Sequence, residues 1–175
     1  MIEEKVKAVI RDIPNFPKQG IVFKDIMPIL EKPELCREIT IEMAKQFAGQ
    51  NIDAVMGIES RGFFWGMLLA QELNIPFIPA RKKGKLPYKT ISHAYELEYG
   101  TAEIEVHQEV IKNGMRVLVH DDLLATGGTA AAAAEIIKKE NGVVAGFSFL
   151  VILEFLQGKD KLFHYSNCIN SIVTY

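Results

Sequence analysis

At 175 residues and 49% apolar composition, the chain is long enough to bury a sizeable core as one compact domain over residues 1–175. A net charge of −2 gives no broad electrostatic attraction to nucleic acid or to an anionic membrane, so neither is expected as a partner. The most apolar run, Val143 to Leu156, is broken by Ser148 and Glu154 and is too short to span a bilayer.

The first segment, MIEEKVKAVIRDI, is amphipathic, with Ile2, Val6, Val9, Ile10 and Ile13 at helical spacing, and Pro14 and Pro17 predict where that helix stops. It contains no signal-peptide h-region, so a cytoplasmic protein is expected. Cys36 and Cys168 stand far apart and in no metal-ligand spacing; small core residues of a reducing compartment fit them better than a disulfide. Next, NFPKQGIVFKDIMPIL is punctuated by Pro and Gly around Phe23. On sequence physics alone it reads as a surface connection with one buried aromatic, although Phe23 is also suited to stacking on a planar ligand. Leu35, Ile39, Met43 and Phe47 mark a core-facing helix that starts at Pro33.

Asp53 to Ile58 reads as a buried strand and Arg61 to Leu73 as a helix, with GIESRGFFWG spanning the junction. Ser60 fits a helix cap, and a new helix N-terminus beside Arg61 is suited to an anion; a plain cap with a solvated arginine is the alternative. Phe63, Phe64 and Trp65 are expected to pack on the sheet. A short strand over Pro76–Ala80 gives way to the basic cluster Arg81-Lys82-Lys83-Gly84-Lys85 and the polar run LPYKTISHAY, from which no packed element can be drawn. Two strand patterns, Ala94–Tyr99 and Thr101–His107, then meet at Gly100. In the second, Ala102, Ile104 and Val106 alternate with Glu103, Glu105 and His107, as in a half-exposed hairpin.

The most informative stretch is Arg116–Lys139, RVLVHDDLLATGGTAAAAAEIIKK. Val117 to Val119 form a strand, Asp121 and Asp122 lie at its end, and Thr126-Gly127-Gly128-Thr129 turns into an alanine-rich helix. A helix that begins after a Gly-rich loop gathers unpaired N–H groups and the positive end of its dipole at one point, which suits a phosphate. Paired carboxylates repel that anion but suit two vicinal hydroxyls, or a divalent cation. A ribose 5-phosphate satisfies both ends of the loop. The plainer account is a solvated strand–helix connection capped by Thr126 or Thr129. Val143 to Leu153 and Ile169 to Thr174 complete the strands. Their alternation with helices predicts a mostly parallel twisted sheet flanked by helices, an α/β fold with its ligands at the strands' C-terminal edges.

The run VLVHDDLLATGGT resembles the ribose-phosphate signature of the type I phosphoribosyltransferases, with His120 where an aliphatic residue is more usual. FPKQGIVFKDI, GIESRGF, ARKKGKLPY and YELEYG add to that likeness, in the order and spacing of the adenine phosphoribosyltransferase branch. The resemblance implies transfer of a phosphoribosyl group from 5-phosphoribosyl 1-pyrophosphate to adenine, with Mg2+ carried by the pyrophosphate. Direct metal ligands on the protein are not expected, Asp121 and Asp122 being possible contacts through water. It also implies a homodimer, a base-side segment over about 1–33 and a mobile hood over about 82–100. Carried over by residue, it places adenine on Phe23, with backbone groups of Val22 and Lys24 at the base edge. Ser60 and Arg61 bind near base and pyrophosphate, with Arg81, Lys82 and Lys85 on the pyrophosphate side. Glu98 and Tyr99 enter with the hood, Asp121 and Asp122 take the ribose hydroxyls, and Ala125, Thr126, Gly127, Gly128 and Thr129 hold the 5-phosphate. Arg61 and Glu98 are the catalytic candidates, and a cis peptide is implied at Glu59–Ser60. A 6-oxopurine transferase and a silent regulator that only binds phosphoribosyl pyrophosphate are the rival readings.

Overall fold

The computed structural model describes residues 1–97 and 100–175. In chain order the elements are α1 (Ile2–Lys7), β1 (Arg11–Pro14), β2 (Val22–Asp25), α2 (Met27–Leu30), α3 (Pro33–Gln46), β3 (Ala54–Ile58), α4 (Gly62–Glu72) and β4 (Phe77–Lys82). They continue with β5 (Thr90–Glu96), β6 (Thr101–His107), β7 (Arg116–Leu124), α5 (Gly128–Lys139), β8 (Val143–Ile152), α6 (Gly158–Leu162) and β9 (Ile169–Thr174), with a 3-10 turn over Glu154–Leu156. Seven strands form one sheet in the order β5-β6-β4-β3-β7-β8-β9. The five from β4 to β9 in that order are parallel, while β6 runs antiparallel to both β4 and β5. The mostly parallel α/β sheet expected from the sequence is therefore present.

Strand alternation divides the core into two layers. Val117 and Val119 of β7 pack with Ala133, Ile136 and Ile137 of α5, and Leu118 packs with Ile39 and Met43 of α3 and Trp65 and Leu69 of α4. Both faces of the central strands are covered, so those strands read as near-continuous apolar runs. Across the acidic pair the alternation is reset: Leu123 lies on the α3/α4 side and Leu124 on the α5 side.

Four sequence expectations are corrected. The N-terminal helix ends at Lys7, and Ile13 is a strand residue opposite Phe23, because β1 finds backbone partners in β2 that a helix through Ile13 would forfeit. The segment around Phe23 is accordingly a strand of a two-stranded antiparallel sheet and not an irregular connection. Part of the polar run after Lys85 is ordered too: β5 starts at Thr90 and pairs with β6 from Thr90–His107 to Glu96–Thr101, so cross-strand bonding overrides its weak apolar pattern. Finally, Glu105 is 4% exposed where alternation predicted a solvated face. Its Oε1 accepts N–H bonds from Gly84, Lys85 and Leu86 at 2.9, 3.2 and 3.1 Å, which compensates its burial.

Candidate active site

The site lies at the C-terminal edge of the parallel strands. Leaving β7, the chain passes Ala125 and Thr126 and reaches Gly127 at φ 79°, a left-handed conformation open to glycine with little strain, before α5 begins at Gly128. The first helical bond runs from Ala131 N–H to the Gly127 carbonyl at 2.9 Å. The N–H groups before it have no intrahelical acceptor and point towards a pocket of about 90 Å³ lined by residues 123–130 with Asp121 and Phe149. Neither threonine caps the helix through its side chain; Gly127 holds that position. The α6 end presses on this loop from behind. A Cβ on Gly127 would lie 2.6 Å from the Gly158 carbonyl oxygen, and one on Gly158 would run into the Ala125 carbonyl.

A second pocket of about 290 Å³ adjoins the first and shares Asp121 with it; Glu59, Ser60, Arg61, Lys82 and Asp122 complete its lining. Adjacent strand residues ordinarily face opposite sides, so the reset across Asp121 and Asp122 is what brings both carboxylates to one cavity. Gly62, at the start of α4, packs so closely that a Cβ there would sit 2.9 Å from Asp121 Oδ1. Arg61 Nε meets Asp122 Oδ2 at 2.8 Å. Burial raises the Asp122 pKa against the opposing pull of Arg61, and burial followed by the neighbouring Asp122 charge raises that of Asp121 well above its ordinary value. Ser60 lines the pocket but does not cap α4, whose N-cap position is held by Arg61 without a side-chain bond. The Glu59–Ser60 peptide is cis.

The basic segment after β4 is bracketed by two glutamates. Arg81 Nε and Nη2 contact Glu59 Oε2 and Oε1 at 3.3 and 3.2 Å, Lys82 N–H donates to Glu59 Oε2 at 2.9 Å, and Arg81 Nη1 donates to the Lys85 carbonyl at 3.0 Å. Burial acts to raise the Glu59 pKa, but the Arg81 and Lys82 contacts outweigh it and hold the group below its usual value. Of the three cationic residues expected here, Lys82 lines the pocket. Arg81 is occupied as a brace, and Lys85 takes part through its backbone.

The Arg61 guanidinium carbon stands 5.6 Å from the Phe23 ring centroid, and Phe16 meets Phe23 edge-on at 5.3 Å. Val22 and Lys24 line a different, apolar pocket of about 470 Å³ with Leu153, Phe155, Leu156 and Tyr175 among its walls. Sequence reasoning missed that wall. The signal available was the pair Phe155-Leu156 just beyond a strand end, where a turn is ordinarily polar; Phe155 is 71% exposed. His120 is fully buried with Nδ1 3.2 Å from Ser148 Oγ, and burial pulls its pKa down to about 3.

The phosphoribosyl transferase domain model matches residues 26–172. An adenine phosphoribosyltransferase of Cytophaga hutchinsonii is 49% identical over 175 residues, covering all of this chain and 97% of the relative. The crystal structure of adenine phosphoribosyltransferase from Thermoanaerobacter pseudethanolicus superposes with a TM-score of 0.95 at 43% identity, with both chains covered in full. The chain belongs to the adenine phosphoribosyltransferase family. A structure of that family from Saccharomyces cerevisiae, complexed with adenine and an imino-altritol bisphosphate, has a TM-score of 0.90 at 35% identity and covers 98% of each chain.

Residues that the family resemblance assigned to different substrate groups thus converge on one sheet edge: Ala125 to Thr129, Asp121 and Asp122, Ser60 and Arg61, Lys82, and Phe23 facing Arg61. Glu98 and Tyr99 of the family's hood motif lie outside the described residues.

Proposed function

We propose that this chain transfers the 5-phosphoribosyl group from 5-phosphoribosyl 1-pyrophosphate to adenine, yielding AMP and pyrophosphate in purine salvage. The observation that carries this reading is the sharing of Asp121 between a glycine-turned helix N-terminus and a carboxylate pocket that also contains Arg61 and Lys82. It is supported by family membership at high identity over the full chain. The whole of 1–175 acts as one transferase domain, with about 1–33 serving the base side and about 82–100 the hood.

The N–H groups of the 125–129 loop, with the Thr126 and Thr129 hydroxyls, hold the 5-phosphate and fix the sugar. Asp121 and Asp122 accept from the ribose hydroxyls, and Asp122 exchanges its Arg61 partner for them as Arg61 turns to substrate. Cleavage of the C1–O bond develops positive charge on the ribose ring, as in glycoside cleavage, and the acidic pair below it opposes that charge favourably. Lys82 and Arg61 face the negative charge gathering on the departing pyrophosphate, while Arg81 and Lys85 shape that wall without lining it. The donor set fits Mg2+, since Asp121 and Asp122 offer hard carboxylate oxygens in the pocket that Lys82 and Arg61 line and would hold a hydrated ion through water. When bound, Mg2+ offsets further charge on the leaving group. Adenine stacks on Phe23, read at its edge by backbone of Val22 and Lys24, and Glu98 with Tyr99 closes over it, Glu98 serving as general acid/base for the purine nitrogens.

A second copy of the chain is the natural cover for the exposed apolar stripe Phe64, Met67 and Leu68 on α4 beside Leu30, which supports a homodimer. Among the described residues no helix is long and apolar enough to cross a membrane, and a cytoplasmic setting fits both this and the two free thiols. The deciding assay supplies phosphoribosyl pyrophosphate and Mg2+ with adenine, hypoxanthine, guanine or xanthine in turn. AMP from adenine alone is the expected result. A product from a 6-oxopurine would overturn the base assignment, and binding of phosphoribosyl pyrophosphate without turnover on any base would identify a silent regulator.

A further inference from the structure

Glu105 is a buried carboxylate to which the proposed reaction gives no part. It stands on β6 opposite Arg81 of β4, and its Oε1 accepts the N–H groups of three successive residues, Gly84, Lys85 and Leu86, at 2.9, 3.2 and 3.1 Å. Successive N–H groups that converge in this way form a concave anion seat, and Gly84, at φ 83°, supplies the left-handed step of such a turn. A side chain of the same chain fills the seat. The turn held by Glu105 is also the mount of Lys82. Lys85 N–H is shared between Glu105 and the Lys82 carbonyl, 3.2 Å away, while Lys82 N–H donates to Glu59 Oε2 at 2.9 Å. From the other side Arg81 spans the gap, giving one N–H to the Lys85 carbonyl at 3.0 Å and two to Glu59. These contacts close a ring from Glu105 through the turn, Arg81 and Glu59 to the backbone of Lys82. Lys83 is turned to Glu103 at 2.7 Å, and it is the Lys82 side chain that lines the pocket with Arg61, Asp121 and Asp122.

We propose that Glu105 is a positioning residue for pyrophosphate recognition: its reach into the 84–86 turn fixes the backbone of Lys82, and with it the point from which the Lys82 ammonium meets the leaving group. The inference deepens the proposed function and rests on reading the Lys82 pocket as the pyrophosphate side. Lysine carries its charge on a flexible four-carbon stem, so the ammonium is delivered accurately only where the Cα is held. A turn of consecutive cations and a glycine has little to hold it, because the like charges repel and the glycine adds freedom. Bonds from backbone N–H groups to a carboxylate are stronger than those between neutral groups, and here three of them end on one oxygen. Glu105 does not itself line the pocket, so it acts through where its oxygen sits and not through a field on the ligand. The length of the side chain is therefore the property that matters most.

Two variants separate reach from charge. Glu105→Asp keeps the charge and draws the oxygen back by one methylene, whereas Glu105→Gln keeps an acceptor oxygen in place and removes the charge. The Kd of phosphoribosyl pyrophosphate is measured on the full chain by calorimetry with Mg2+, beside that of ribose 5-phosphate, which lacks the pyrophosphate. Glu105→Asp is expected to weaken phosphoribosyl pyrophosphate about tenfold, the effect size of one charge-assisted hydrogen bond, and Glu105→Gln no more than about threefold. Ribose 5-phosphate should bind both variants within about twofold of the native chain, which also shows that each is folded. Native affinity for phosphoribosyl pyrophosphate in Glu105→Asp, an equal loss in Glu105→Gln, or a loss of ribose 5-phosphate in step with phosphoribosyl pyrophosphate would each overturn the positioning role and leave the pocket assignment standing. If the native chain binds phosphoribosyl pyrophosphate no more tightly than ribose 5-phosphate, the pyrophosphate reading of the Lys82 pocket falls and the role of Glu105 with it.

Discussion

The two halves of the site, one around Asp121 and the 125–129 loop and the other around Phe23, are built by opposite means. Asp121, Asp122 and the 125–129 loop issue from β7, the middle one of the five parallel strands, and are backed by α4 at Gly62 and by α6 at Gly158. The half around Phe23 hangs on β1 and β2, a separate two-stranded sheet in which Val22 is 48% exposed, and on the connection between them, where Phe16 is 50% exposed. Two ion pairs brace it, Lys24–Asp12 at 2.7 Å and Arg11–Asp25 at 3.9 Å, and partly exposed pairs of this kind contribute little. A two-stranded sheet is marginal by itself. The contrast fits what the proposed function asks of each half. Stabilising charge that develops in a transition state requires dipoles and charges fixed beforehand, whereas stacking a planar base tolerates a support that adjusts when the ligand arrives.

The sharpest test concerns Glu98, which the proposed function makes the general acid/base. Glu98→Ala is expected to lower kcat about 10²–10⁴-fold, the range for a lost general acid/base, with little change in phosphoribosyl pyrophosphate affinity. Equal losses in turnover and binding would make Glu98 a binding residue only. Gly158→Ala probes the rigid half without touching a ligand group. Its Cβ would push the Ala125 carbonyl and shift the cradle, so KM for phosphoribosyl pyrophosphate should rise about 10²-fold while the Kd for adenine holds. A native KM in that variant would mean the loop does not depend on α6. Phe23→Ala probes the adjustable half: the Kd for adenine should weaken about tenfold, as for loss of one stacking aromatic, and the melting temperature should barely move. A large drop in melting temperature would show that the base segment is part of the core after all.

The smallest effect is a stability change in the rigid half. Burial, with the Asp122 charge, raises the Asp121 pKa in the folded chain, so the folded state holds that proton more tightly than the unfolded state does. Stability from this group is full below the ordinary carboxylate range and declines as pH rises towards the folded-state value. Asp121→Asn should therefore melt about 2–4 °C higher than the native chain at pH 8, with the gain fading towards pH 4, while activity is lost. A gain independent of pH would point to a source other than this ionisation.

How far the site was legible in the sequence depended on whether its parts were local. Val117 to Thr129 could be read directly, since strand, carboxylates, glycine turn and helix follow one another within a single βα unit. Two glycines and an alanine run leave few conformations open. Glu105 could not be read, because its burial depends on three N–H groups some twenty residues away in sequence. The same holds for Arg81, which the family resemblance placed on the pyrophosphate side and whose guanidinium contacts Glu59 in the structure, a pairing no local pattern announces. Ile13 looked helical because its spacing fits one, and the strand pairing with Phe23 that overrides this spacing is a non-local event.

The sequence by itself determined the α/β class, the βα phosphate turn and, through several motifs in register, the family. Those features rest on periodicity, turn chemistry and residue identity, which act over a few positions. The tertiary structure alone decided that both aspartates face one pocket, that Lys82 and not Arg81 lines it, that Leu153 and Phe155 wall a second pocket with Val22 and Lys24, and that Tyr95 touches Thr129. These are juxtapositions of segments brought together only when the sheet assembles, and no local pattern encodes which side chain is left to face the ligand once buried charges have taken their partners.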